Sequence, residues 1–175
     1  MKIEHKFAQG EAPVRLADGT RISGYASWFG IEDTGRDIVD PGAYCDSLAR
    51  SSAEGRSIKM LWQHDPAQVI GVWDEVREDA RGLHVRGRLL PGVARAREAV
   101  ELIEAGALDG LSIGYTVRRS VKDEQGRRHL KELDLWEVSL VTFPMLSSAR
   151  VGAKADPMRE LARLISDARL QLARD

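Results

Sequence analysis

Residues 110–143, GLSIGYTVRRSVKDEQGRRHLKELDLWEVSLVTF, are the most strongly patterned part of this 175-residue chain. Two strand-like segments, 111–121 and 130–143, flank the charged turn Asp123–Arg127, which indicates a long antiparallel hairpin. The first run opens with Gly110-Leu111-Ser112-Ile113-Gly114, so a serine between two glycines lies at the start of a predicted strand.

Shorter elements precede this hairpin. Val69–Val76 and Leu83–Leu89 alternate apolar and polar residues around the turn Asp79–Gly82, which predicts a second hairpin. Val93–Ala105 has apolar residues at helical spacing, and Ala43–Arg50 predicts a short helix that ends in a loop. Many hairpins and few helices favour a mainly β fold with helices (α+β), as an antiparallel barrel or sandwich.

The C-terminal region predicts a separate element. Residues 157–173 have a stripe of apolar residues that is typical of an amphipathic helix, and residues 153–156 are a plausible hinge. We therefore expect a β-barrel domain over residues 1–152, followed by a hinge and C-terminal amphipathic helix over residues 153–175.

Composition narrows the class of protein. The chain is 43% hydrophobic and 30% charged, as soluble globular proteins usually are, and its net charge of −1 gives no electrostatic argument for nucleic acid binding. The single cysteine, Cys45, excludes an internal disulfide and argues against a cysteine-ligated zinc site. Neither a secretory signal nor a membrane-spanning run is evident. We expect an intracellular protein with no membrane partner.

Three separate residues offer the parts of a nucleophilic site. A serine hydroxyl is a poor nucleophile at neutral pH, so it needs a general base and a group that orients the base. Ser112 is the candidate nucleophile, His64 beside the apolar segment Met60–Trp62 is the candidate base, and Glu137 within an apolar run is the candidate orienting carboxylate. The spacing allows three strands to bring them together, which favours a serine hydrolase.

Each of these residues has an alternative explanation. His64 is explained about as well by a packing role as by a role as a base. The alternative for Glu137 is a structural ion pair with an arginine. Asp65 and Asp134 compete with Glu137 for the orienting role. The other histidines stand among charged residues and are expected to face solvent: His5, His84 and His129.

The glycine-serine-glycine motif does not match the nucleophile elbow of α/β-hydrolases. That fold requires a strand–turn–helix around the serine, followed by an acid and then a histidine. Here residues 113–117 have a strand pattern, and His129 is the only histidine after Ser112.

Several motifs occur together in one order: 24–26 (GYA), 39–44 (VDPGAY), 61–65 (LWQHD), 70–71 (IG), the helix 94–106 leading into 108–115 (LDGLSIGY), 135–141 (LWEVSLV) and Pro144. Taken together, they resemble the caudovirus (tailed-phage) prohead serine proteases, which are related in fold to the herpesvirus assemblins. The resemblance covers roughly residues 22–151.

The resemblance implies a fold, a site and a task. The fold would be a herpesvirus-protease-like antiparallel β-barrel surrounded by helices. His64 would be the general base, Ser112 the nucleophile, and Glu137 would fill the place of the second histidine of the herpesvirus triad. The paired arginines that support the oxyanion in those enzymes have no counterpart at a comparable distance after Ser112, so backbone N–H groups are the default donors.

The implied activity is that of a serine endopeptidase of capsid maturation, with neither cofactor nor metal. It would cleave scaffold segments or the N-terminal segment of the major capsid protein, and also itself, inside the immature capsid in the cytoplasm of the bacterial host. A catalytically inactive, scaffold-binding module on the same fold and an esterase of small molecules remain alternatives. The C-terminal helix offers a surface for a homodimer or for docking on capsid or scaffold helices.

Overall fold

The computed structural model describes residues 3–7, 15–17, 19–33 and 35–142. In chain order these contain nine strands and two helices: β1 (Glu4–Phe7), β2 (Arg15–Ala17), β3 (Arg21–Trp28), β4 (Asp37–Val39), α1 (Cys45–Ala53), β5 (Lys59–Trp62), β6 (Asp65–Glu78), β7 (Gly82–Leu89), α2 (Ala94–Glu104), β8 (Gly110–Lys122) and β9 (Arg128–Val141). The prediction of a mainly β fold with few helices is confirmed.

All nine strands belong to one sheet, in the order β1-β8-β9-β5-β6-β7-β3-β2, with β4 pairing to β9. Strands β3 and β8 are far apart in this order but lie in contact, so the sheet curls round on itself. Both predicted hairpins are present, as β6–β7 and β8–β9. Two pairings are parallel, β5 with β9 and β4 with β9.

The longest hairpin of the sheet is β8–β9, whose strands lie second and third in the strand order. Residues 110–116 of β8 are all buried, as are residues 137–141 of β9. A strand that is buried on both faces reads as a nearly continuous apolar run, which explains the sequence of this hairpin. The polar residues at this end of the hairpin must therefore find partners inside the protein: Ser112, Glu137 and Ser139.

The helices cover the curled sheet. Helix α1 packs against β9, where the backbone N–H of Leu135 donates to Ser47 Oγ at 2.8 Å. This helix extends to Ala53, beyond the predicted end at Arg50. Helix α2 ends in a Schellman motif: Gly106 has φ +70°, its N–H donates to Ile103 O, and the N–H of Ala107 donates to Leu102 O.

The proposed C-terminal helix and hinge lie outside the described residues, so the division into two parts at residue 152 stays a prediction. Neither α1 nor α2, the helices of the described part of the chain, has the length and apolarity that crossing a membrane requires.

Candidate active site

His64 lies in a tight turn between β5 and β6. Trp62 pairs with Asp65, which leaves Gln63 and His64 as a two-residue loop, and both have positive φ, 51° and 63°. A type I′ hairpin turn demands this conformation, which costs free energy for residues other than glycine and recurs at functional sites. The N–H of Gln63 donates to Leu140 O at 2.9 Å, so the turn is anchored on β9.

The imidazole of His64 contacts the carboxylate of Glu137. His64 Nδ1 and Glu137 Oε1 are 2.5 Å apart, and both side chains are largely buried. The second carboxylate oxygen accepts from Ser139 Oγ at 2.6 Å, and Ser139 Oγ accepts from the backbone N–H of His64 at 3.1 Å. Both carboxylate oxygens are therefore engaged. With Nδ1–H donated to Glu137, the neutral ring presents Nε2 as its acceptor.

Ser112 lies on β8, next to the part of β9 that contains Glu137 and Ser139. Its Cα is paired with that of Ser139, and Gly114 is paired with Glu137. Directly opposed residues of an antiparallel pair have their side chains on one face, with Cβ atoms about 5 Å apart. Ser112 therefore shares its face of the sheet with Glu137 and with Ser139, which touches the His64 backbone. The Ser112 side chain is fully buried.

Gly114, the second glycine of the motif, gives the Glu137 side chain its place. A Cβ at position 114 would lie 2.2 Å from Glu137 Oε1 and 2.8 Å from Cγ and Cδ. Real Cβ atoms essentially never come so close to another heavy atom. A side chain at position 114 would therefore displace the carboxylate, which lies directly over the backbone there. Gly114 does not have the positive φ that requires glycine in many turns.

Comparisons with known proteins identify the family to which the chain belongs. A family model described as caudovirus prohead serine protease matches residues 10–163, which is most of the chain. The chain belongs to this family. It is 35% identical over 138 residues to the prohead protease of Enterobacteria phage HK97, covering 75% of this chain and 59% of that protein. It is 27% identical over 168 residues to the capsid polyprotein of Pseudomonas phage PAJU2, covering 91% of this chain and 24% of that protein.

The chain thus spans less than two thirds of the length of these two relatives. Among solved structures, the bacteriophage T4 capsid assembly protease aligns with a TM-score of 0.61 at 17% identity. The alignment covers 82% of this chain and 97% of that one, and it supports the fold assignment.

In this prohead protease family member the alternative orienting groups lie elsewhere. Asp65 accepts hydrogen bonds from the Ala67 N–H and the Gln68 side chain. Asp134 contacts the guanidinium groups of Arg50 and Arg118. In the described part of the chain, Glu137 contacts histidine and serine side chains. These contacts do not support the alternative in which Glu137 pairs with an arginine.

One residue of this cluster was missed from the sequence. His5 was expected to face solvent, and its side chain is indeed 40% exposed, but the pairing of β1 with β8 also places His5 opposite Gly114, beside the site. Its ring centroid is 4.0 Å from that of His64, and its Nδ1 is 3.6 Å from Glu137 Oε1. Burial lowers the pKa of His5 and the nearby His64 lowers it further, while Glu137 opposes both effects. A four-residue strand among charged residues has no periodicity long enough to predict this pairing.

The remaining histidines lie away from the site. His129 contacts Asp40 and Asp123 near the β8–β9 turn, with 3.0 Å between His129 Nδ1 and Asp40 Oδ1. His84 lies on β7 against the ring edge of Tyr25.

Proposed function

We propose that this chain is a serine endopeptidase that processes proteins of an immature phage capsid. The main support is the contact of the His64 ring with Glu137 on the same face of the sheet as Ser112, in a chain of the prohead serine protease family. A nucleophile, a base and an orienting group are the three parts that acyl transfer to serine needs.

The proposed mechanism proceeds through an acyl-enzyme. His64 Nε2 accepts the proton of Ser112 as Oγ attacks the scissile carbonyl, and then returns that proton to the leaving amine. Glu137 holds the ring in the tautomer with Nδ1–H and stabilises the imidazolium that forms. Ser139 holds the carboxylate from its other side. Water then attacks the acyl carbon while giving a proton to His64 Nε2, the ester bond to Ser112 Oγ breaks, and His64 returns the proton to Oγ.

Backbone N–H groups are the proposed oxyanion donors. The nearest arginine on β8, Arg118, is paired with Asp134 through Nε and Oδ2 at 2.6 Å. Its position, six residues beyond Ser112 on the same strand, is about 20 Å along an extended chain, too far to reach a carbonyl at Ser112 Oγ.

The proposed substrates are scaffold segments, the N-terminal segment of the major capsid protein, and the chain itself. The support comes from the names of the relatives, a prohead protease and a capsid polyprotein. The proposed location is the interior of the immature capsid in the host cytoplasm. A homodimer and docking through the C-terminal helix stay predictions.

The decisive experiment is co-expression with the major capsid protein, followed by mass measurement of both chains. Ser112→Ala should abolish cleavage while the protein stays folded. Ser120→Ala, an exposed serine on the same strand, is the matched control and should cleave normally. Unchanged cleavage by Ser112→Ala would exclude its role as nucleophile.

Two alternative functions give different results. A scaffold-binding module would leave capsid protein intact and bind it equally well with either variant. An esterase would turn over short esters and leave capsid protein intact. A fluorophosphonate probe separates enzyme from binding module, because covalent labelling lost in Ser112→Ala and retained in Ser120→Ala requires an activated serine.

A further inference from the structure

His5, His64 and Glu137 form a compact cluster of potential metal ligands. One donor atom from each lies within 4.8 Å of the other two, and it is the one such group in residues 3–7, 15–17, 19–33 and 35–142. Two imidazoles and one carboxylate are a ligand set used by zinc when a fourth position is left open. We propose that this cluster binds a divalent cation of the zinc type and that the bound metal inhibits the site.

Two of the three donor–donor distances can be compared with those around a tetrahedral ion, and the third, between the two histidines, is within 4.8 Å. With metal–ligand bonds of about 2.0–2.1 Å, neighbouring donor atoms lie roughly 3.4 Å apart. His5 Nδ1 and Glu137 Oε1 are already 3.6 Å apart. His64 Nδ1 and Glu137 Oε1 are 2.5 Å apart, so this pair must widen by roughly 0.9 Å as the metal replaces the proton between them. That proton leaves for solvent.

The surroundings support such a site. Ser139 Oγ donates to Glu137 Oε2, so the carboxylate is oriented from outside the cluster in the way that metal ligands usually are. Gly114 leaves the space above its backbone to the carboxylate. The His5 side chain is 40% exposed, which gives an ion a route in and leaves room for a water as fourth ligand.

Metal binding and catalysis exclude one another. The ion takes the Nδ1 atom and the carboxylate that the proposed mechanism needs for orienting the base. It also links β1 to the β5–β6 turn and to β9, and β1 is the strand paired with Ser112 through Phe7. The inhibition rests on the proposed function, whereas the binding does not.

Cobalt(II) is the direct probe, because a tetrahedral Co²⁺ site absorbs visible light strongly. The full chain is titrated with Co²⁺, with Zn²⁺ as competitor, for the wild type and three variants. Ser112→Ala and His84→Gln, a histidine outside the cluster, should bind as the wild type does. His5→Gln should bind at least ~10-fold more weakly, since one of three protein ligands is lost.

Absence of the tetrahedral band in the wild type, or equal affinity for His5→Gln and His84→Gln, would overturn the proposal. Binding that depends on His5 in a protein that cleaves nothing would support the metal site and refute the protease. In a protein that cleaves capsid protein, zinc should inhibit reversibly, and His5→Gln should raise the half-inhibiting zinc concentration by a similar factor.

Discussion

Replacing Gly114 by alanine tests whether the position of the Glu137 carboxylate controls catalysis. The new methyl group would lie 2.2 Å from Glu137 Oε1, and ordinary contacts begin near 3.4 Å, so the carboxylate must move by roughly 1.2 Å. Misplacing a catalytic group by about 1 Å costs on the order of 10²-fold in rate, or about 2.7 kcal/mol of transition-state stabilisation. We expect Gly114→Ala to lower kcat/KM by about that factor.

The assay is the rate of capsid-protein cleavage by purified protein, with thermal unfolding to establish that each variant is folded. Gly92→Ala is the matched control, because a Cβ at position 92 meets no atom within 4 Å. A second readout is the proton between His64 Nδ1 and Glu137, whose far-downfield NMR resonance should shift or disappear. A folded Gly114→Ala that cleaves at the wild-type rate with this resonance unchanged would refute the reasoning.

Three further predictions concern turnover and stability. Glu137→Gln should reduce kcat by roughly 10²- to 10⁴-fold, measured in the same cleavage assay, because the amide no longer stabilises the imidazolium. Gly87→Ala should lower the free energy of unfolding in urea by about 1–3 kcal/mol or more, because the added Cβ would lie 2.3 Å from Val72 O and 2.9 Å from Met60 Cε. Burial alone would raise the pKa of Asp134, but its hydrogen bonds from two arginines hold the pKa below the usual value, so Asp134→Asn should destabilise the protein at pH 7. This difference should shrink as the pH falls below 3.8 and through the folded-state pKa, measured by urea unfolding at several pH values.

Each of these has an outcome that contradicts it. Wild-type turnover by Glu137→Gln would remove the carboxylate from the mechanism. Equal unfolding midpoints for Gly87→Ala and Gly92→Ala would mean that the core around Met60 can shift. A pH-independent effect of Asp134→Asn would show that the charge of Asp134 is not what stabilises the fold. Asp74→Asn, at an exposed pair with Arg88, is the surface control and should have little effect.

The hairpins and α2 could be predicted because each has a pattern within one short window. The parallel pairing of β5 with β9 could not, since Lys59 and Glu137 are distant in sequence and alternation says nothing about which strand lies alongside. The parallel pairing of β4 with β9 could not be predicted either, because β4 has only three residues and so shows no alternation.

In the candidate site, too, the residue types could be predicted from the sequence but the long-range contacts could not. Ser112, His64 and Glu137 could be singled out by residue type and apolar surroundings, but their contacts depend on strand register. The turn at His64 could not be predicted, because a positive φ is usually indicated by glycine and neither Gln63 nor His64 is one. The role of Gly114 follows only from its pairing with Glu137. His5 enters the cluster through β1, whose four residues are too few for periodicity to be read.

The interior position of β9 in the sheet has a consequence for the order in which the structure can form. This strand is the last of the described ones to leave the ribosome, yet it lies between β8 and β5 in the finished sheet. Until β9 has been translated, β5 lacks its parallel neighbour, and the turn bearing His64 lacks the anchor at Leu140. Long-range pairings of this kind form late and slowly. A nascent chain halted before β9 therefore carries Ser112 without the partner strand β9 and His64 without Glu137, so the proposed hydrolysis must await completion of the domain.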